Sequence, residues 1–321
     1  MAADQRWTVS GTGHKAPGFE TYARQAAIAR GLLRAGGSPA LVEADDVELL
    51  AVLSRAHTLE YLTFLSETNA RLPAGALHLP HRWSAPGVRP DTPVHKDTWP
   101  EAFEGARVAL AAARAVADGE KAAYGLCRPP GHHAGPAWAG GYCYLNNAAI
   151  AALTLSSGQH IPGVLDLDFH VGNGTAAILS RARNVPYFSV HASTLLHYPW
   201  QNELEGIGAY NCVEFSEPPS ADGYLAAVSS MVSKLVDHGV DTLVLSMGFD
   251  TVEGDPHGSW CLEPAIYAAI AAVAARPGWP VCVLQEGGYR LEVLTECAEH
   301  FGRGLIGPLH PEGRSASRWA S

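Results

Sequence analysis

Gly163-Val164-Leu165-Asp166-Leu167-Asp168-Phe169-His170 is the stretch on which the fold reading turns. It opens as a short apolar run of strand type and closes on two acids and an imidazole. Alternate residues of an extended chain point the same way, which puts Asp166, Asp168 and His170 on one face. Two carboxylates buried beside a histidine are costly unless a cation neutralises them. A carboxylate and imidazole set suits zinc or iron, and a third ligand with an open position makes such a site catalytic. The plain alternative is a strand end whose polar residues meet water, and this stretch alone leaves both readings open.

Outward from it, the same layout repeats. Apolar runs at 122–126, 186–190, 242–247 and 280–284 also read as strands. Helical patterns at 22–35, 100–116, 146–154, 223–236 and 264–275 lie between and around them. This alternation predicts an α/β fold, a single mostly parallel sheet flanked by helices on both faces. Ligands of such sheets bind beyond the carboxyl ends of the strands. Each run here is followed by unusual polar residues: Arg128-Pro129-Pro130-Gly131-His132-His133, His191, Gly248-Phe249-Asp250 and Glu286-Gly287-Gly288-Tyr289. Parallel strands would bring all of them to one edge.

Singly, each of these residues has an ordinary explanation. His132 and His133 are proton-transfer groups, metal ligands or a surface pair. Asp250 could simply cap the next turn. Tyr289 is a packed aromatic or a donor to a developing oxyanion. Their joint occurrence at successive strand ends favours a site.

Bulk properties narrow the classes. The 321 residues, 47% hydrophobic and 17% charged, suffice for a large core. No repeat or low-complexity linker divides the chain. A single domain over 1–321 is expected, with a proline-rich loop at 72–93 near the site and a tail at 308–321. No apolar run reaches membrane-spanning length and the start does not resemble a secretion signal. The six cysteines form no C-x-x-C pair and read as reduced thiols of a cytoplasmic protein. A net charge of −10 argues against nucleic acid and mildly favours cationic substrates.

The sequence resembles the zinc-dependent histone deacetylase superfamily, which has the arginase/deacetylase fold, and within it the class II-like bacterial acetylpolyamine amidohydrolases. The motifs are Arg128-Pro-Pro-Gly-His-His-Ala134, Gly140-Gly-Tyr-Cys-Tyr-Leu-Asn-Asn-Ala148, Asp166-Leu-Asp-Phe-His170 with Gly172-Asn-Gly-Thr175, Ser189-Val-His191, Gly248-Phe-Asp-Thr-Val-Glu-Gly-Asp-Pro256 and Glu286-Gly-Gly-Tyr289. The resemblance implies zinc on Asp168, His170 and Asp250, with iron(II) as an alternative occupant. It implies His133 as general base and then acid, His132 as an electrostatic partner paired with Asp166, Asn173 orienting His133, and Tyr289 facing the oxyanion. Asp166, Asp168, His170 and Ser189 match a structural potassium site. Gly141, Tyr142 and Tyr198 match the wall of a narrow tunnel, and Asp91 matches a carboxylate on its rim. The implied reaction is hydrolysis of an N-acyl, typically N-acetyl, amide to a free amine and a carboxylate. The implied substrate is a small acylated amine, an acetylpolyamine or a biosynthetic intermediate.

The pattern breaks in a few places. Val171 stands where relatives have a second histidine. The segment from Tyr198 through Trp200 and Glu203 to Gly206 is shorter than the family's glycine-rich loop. His257 replaces a mouth residue that is acidic in polyamine enzymes, so it could repel a cation when protonated or hydrogen-bond a polar substrate. These breaks leave a protein acyl-lysine deacylase as the second expectation and a catalytically inactive binding module as the third. A manganese enzyme of the arginase type needs an acid-rich two-metal cluster that the His132-His133 loop does not suit. A homodimer is an option that the resemblance leaves open.

Overall fold

The computed structural model describes residues 7–9, 15–17, 19–40, 43–182, 184–200, 211–309 and 318–320. Its strands are β1 Trp7–Val9, β2 Lys15–Pro17, β3 Ser38–Ala40, β4 Ala122–Gly125, β5 Pro162–Asp166, β6 Tyr187–Ala192, β7 Cys212–Phe215, β8 Thr242–Met247, β9 Val281–Gln285 and β10 Arg318–Ala320. Its α-helices are α1 Tyr22–Arg34, α2 Asp46–Ala56, α3 Leu59–Arg71, α4 Thr98–Ala117, α5 Asn147–Leu155, α6 Asn173–Leu179, α7 Ala221–Asp237, α8 Ile266–Ala275 and α9 Leu291–Leu309.

Eight strands form one sheet in the order β3-β10-β4-β9-β8-β5-β6-β7, and every neighbouring pair in it is parallel. A parallel sheet is covered on both faces, so its strands need apolar residues at both parities. The central strands show this. Leu243, Leu245, Val281 and Val283 join a core with α1, α7, α8 and α9. Val244, Cys282 and Leu284 point the other way, into a core with α2, α4, α5 and α6. Helix α5 is buried along its whole length, and its Asn146 cap accepts from the Ala149 N–H at 2.8 Å.

The expected architecture is therefore present, with additions. Strands β1 and β2 form a separate antiparallel pair. Helices α2, α3, α6 and α9 and strands β3, β7 and β10 were not among the expected elements. The tail expected from residue 308 contributes β10, which pairs between β3 and β4. The loop at 72–93 is mostly irregular, with a short 3-10 turn at His81–Trp83 and a bridge from His78 to Val94. Glu203 and Gly206 lie outside the described residues.

Candidate active site

β4, β9, β8 and β5 are consecutive in the sheet, and the chain leaving each of them carries the polar residues. The loop after β4 brings His132 and His133, that after β9 Tyr289, that after β8 Asp250, and that after β5 Asp168 and His170. All of these residues line one pocket of about 640 Å³. Gly141, Tyr142, Tyr198, Trp200, His257 and Asp91 line it too, and residues 87–92 place the end of the long loop at its rim. Trp200 is 63% exposed. Three expected residues do not line it: Asp166 and Asn173 sit behind the histidines, and Ser189 lies opposite Asp166 across the β5–β6 ladder. His191, expected just past a strand, is a buried residue within β6, and its Nδ1 lies 2.8 Å from the Ser189 Oγ.

At the floor, His170 Nδ1 lies 3.2 Å from Asp168 Oδ1 and 3.3 Å from Asp250 Oδ2. Ligand atoms of the three residues all lie within 4.8 Å of one another, as a metal site needs. The remaining carboxylate oxygens are occupied. Asp168 Oδ2 accepts from the Gly287 N–H at 2.8 Å, and Asp250 Oδ1 accepts from the Phe169 N–H at 3.0 Å. Asp250 Oδ2 is buried and makes no well-formed hydrogen bond, its polar neighbour being the His170 Nδ1 at 3.3 Å. A buried carboxylate oxygen left in that condition is costly, and a cation is what relieves it. Glycine shapes the same space: a Cβ at Gly287 would sit 2.6 Å from Asp168 Oδ2, and closer still to Asp250 Oδ2. The donor set, the unsatisfied oxygen and the glycine cradle together fit a metal ion.

The electrostatics follow from this crowding. Burial raises Asp250, and the neighbouring Asp168 charge raises it further. Asp168 goes the other way: burial opposes its ionisation, but His132 and His170 hold it well below the carboxylate range. Two carboxylates sharing one small volume push their proton affinities apart. Burial lowers His170, yet Asp168 and Asp250 outweigh it and lift the imidazole to about 9. A proton on His170 and a metal cation are thus alternatives for the same negative pocket.

The two histidines differ. His132 Nδ1 lies 3.2 Å from Asp166 Oδ2. Burial would lower it, but Asp168, Asp166 and Glu286 raise it to about 10. His133 Nδ1 lies 2.8 Å from Asn173 Oδ1, an acceptor, so Nδ1 carries the hydrogen and Nε2 keeps its lone pair. Burial, then His132 and His170, hold His133 well below its ordinary value. It is the neutral member of the pair, with a free lone pair on Nε2. Burial raises the Tyr289 phenol well above its ordinary value, so it stays a hydrogen donor.

Behind the site, Arg24 and Glu20 carry no sequence signal, whereas Glu286, Asp255 and Arg128 stand in the quoted motifs without a role assigned to them there. Arg24 of α1 donates from Nε to the Gly288 carbonyl at 2.5 Å and from an Nη to the Glu286 carbonyl at 2.6 Å, and its guanidinium lies 4.3 Å from the Tyr289 ring centre. Glu20 pairs with Arg24 at 3.0 Å and with Arg128 at 3.1 Å. The Glu286 carboxylate accepts from Gly131 N–H at 2.6 Å and His132 N–H at 3.1 Å, tying the β9 loop to the histidine loop. The Asp255 carboxylate takes the Tyr289 N–H at 2.6 Å and the His257 N–H at 2.9 Å. At the mouth, burial, then His170 and Arg24, lower His257 to about 4. Val171 is fully buried.

The family model described as a histone deacetylase domain matches residues 19–305. The chain belongs to the histone deacetylase family. Among its relatives in that family, acetylpolyamine amidohydrolase 1 of Pseudomonas aeruginosa is 35% identical over 212 residues, 64% of this chain and 61% of the relative. Acetylpolyamine amidohydrolase of Burkholderia pseudomallei is 38% identical over 220 residues, 66% of this chain and 64% of the relative. These matched segments span under two thirds of either relative's length. The crystal structure of an acetylpolyamine aminohydrolase from Burkholderia pseudomallei superposes with a TM-score of 0.83 at 31% identity, covering 94% of this chain and 95% of that one. The deacetylase fold and the branch expected from the sequence motifs both stand. Among the described residues, no helix is long and apolar enough to cross a membrane.

Proposed function

We propose that this protein hydrolyses the N-acyl bond of a small acylated amine, such as an acetylpolyamine or a biosynthetic intermediate, with zinc held by Asp168, His170 and Asp250. The observation that carries the reading is the unsatisfied Asp250 Oδ2 at the floor of a pocket that also holds His133 and Tyr289. When bound, zinc acts as a Lewis acid and brings the pKa of a water down to roughly 7. Everything else falls to the chain. His133 Nε2, with Nδ1 anchored on Asn173, takes the proton from the attacking water and returns it to the leaving amine nitrogen. His132 remains paired with Asp166 and supplies positive charge. Tyr289 donates to the oxyanion that develops on the acyl oxygen. Tyr142, Gly141 and Tyr198 line the channel that takes the linear chain, and Asp91, Trp200 and His257 sit at its mouth. Potassium on Asp166, Asp168, His170 and Ser189 belongs to the same proposal, as does a single deacetylase domain over 1–321. The proposal places the enzyme in the cytoplasm, in keeping with six unpaired thiols.

The test is a substrate panel on zinc-loaded protein: acetylated putrescine and spermidine, neutral N-acetyl alkylamines, and acetyl-lysine peptides. Hydrolysis of the small amines at rates above the peptides is the expected result. Peptide turnover equal or better would make the protein an acyl-lysine deacylase, and no hydrolysis of any member would overturn the reaction itself.

A further inference from the structure

Gly140 and Cys143 exchange both backbone hydrogen bonds, at 3.1 and 2.8 Å, which leaves Gly141 and Tyr142 as the two central residues of a tight turn. Their φ angles are 51° and 69°. Positive φ at both central residues is the pattern of a type I′ turn, which ordinarily takes Asn or Gly at these places. Glycine at 141 has an evident reason beyond its φ: a Cβ there would sit 3.1 Å from the His133 ring at Cγ, and closer at Cδ2. Tyrosine at 142 has no such freedom, because a Cβ makes the left-handed region unfavourable. Something outside the turn must hold it.

The outward N–H groups of both central residues find side-chain acceptors on one neighbouring dipeptide. Tyr142 N–H donates to Thr92 Oγ1 at 3.0 Å, and Thr92 Oγ1 donates to Asp91 Oδ1 at 2.8 Å. Gly141 N–H faces the Asp91 carboxylate, 3.3 Å from Oδ1 and 3.4 Å from Oδ2. Thr92 is buried at 2% exposure, and its hydroxyl both donates and accepts. The Asp91 carboxylate at the rim is therefore engaged by the turn.

We propose that Asp91 and Thr92 are positioning residues: they brace the strained Gly141–Tyr142 turn, and so set the channel wall at Tyr142 and the packing surface of His133 together. This rests on reading the pocket as an acyl-amine channel. It separates two roles that a rim carboxylate can have. A carboxylate that binds a cationic substrate needs its charge, whereas one that braces a turn needs only an acceptor oxygen.

The experiment compares Thr92→Val, Thr92→Ser and Asp91→Asn in the zinc-loaded full chain, with KM and kcat for acetylputrescine and for neutral N-acetylbutylamine. Backbone hydrogen exchange across residues 140–143 is followed in parallel. Thr92→Val should raise KM for both substrates about tenfold, the typical worth of one buried hydrogen bond, and speed exchange in the turn. Thr92→Ser should restore both. Asp91→Asn, which keeps an acceptor, should leave the ratio of the two substrates unchanged. Slow exchange and native KM in Thr92→Val would overturn the proposal, and so would a loss in Asp91→Asn confined to the cationic substrate. Should the native protein hydrolyse neither substrate, the channel reading fails, yet the exchange comparison still decides the brace. If Thr92→Val does not fold, Asp91→Ala carries the comparison: faster exchange at Gly141 and Tyr142 than in Asp91→Asn supports the brace, and native exchange in both refutes it.

Discussion

Replacing Gly287 by alanine should empty the metal site while leaving the fold standing. The new Cβ would lie 2.6 Å from Asp168 Oδ2 and 2.8 Å from Asp250 Cγ. Ordinary non-bonded contacts of carbon are about 3.5 Å, so both carboxylates must retreat by nearly an ångström. Metal sites tolerate departures of about 0.2 Å in ligand distance. Disturbing one supporting contact already costs 10- to 100-fold in affinity. With two ligands moved at once, a loss of about 100-fold or more is expected, equivalent to roughly 2.7 kcal/mol. The backbone does not forbid the change, because φ at Gly287 is not positive. The measurement is bound zinc per chain in graded metal buffers, with thermal melts in chelator to compare the metal-free folds. Gly307→Ala in α9, where an added Cβ meets nothing within 4 Å, is the control. An alanine variant that binds zinc as tightly as the native protein would refute the argument that these three residues hold the metal through this cradle.

Tyr289→Phe should lower kcat on the order of a hundredfold at unchanged zinc content, and an unchanged kcat would remove the phenol from the reaction. Zinc affinity should depend on pH through His170, whose pKa is raised to about 9 without metal. Below that value metal binding must release the proton, so apparent affinity rises about tenfold per pH unit toward 9 and flattens above. Titrations at several pH values would show it, and a flat profile would contradict the assignment of His170. Arg24→Met should destabilise the fold by about 1–3 kcal/mol in urea melts, because it removes the buried donors to the Gly288 and Glu286 carbonyls, while Glu20 keeps its pairing with Arg128. It should also lower kcat by loosening the Tyr289 loop; native stability and rate would show that the Arg24 contacts carry no weight.

The sequence was most legible where physics acts locally. Strand parity and apolar runs exposed β4, β5, β6, β8 and β9, because a sheet covered on both faces must be apolar throughout. The position of Asp168, His170, Asp250 and Tyr289 just past those runs exposed the site, because parallel strands deliver their ends to one edge. Short β3, β7 and β10 were not legible, since a few residues carry no period to read. The exposed face of α2, with Val47 and Leu50, blurred its amphipathic pattern.

What the chain determined by itself is the parallel sheet and the gathering of polar residues at one of its edges, since these follow from apolar periodicity along each strand; the expected ligand set and chemistry came from the resemblance of its motifs. What only the tertiary structure decided lies between segments far apart in sequence. Arg24 reaches Gly288 across 264 positions. Thr92 reaches Tyr142 across 50. The pKa of His257 is lowered because burial and the charges of His170 and Arg24 act on it together. Contacts of this kind depend on distance in space, and periodicity along a chain carries no record of them.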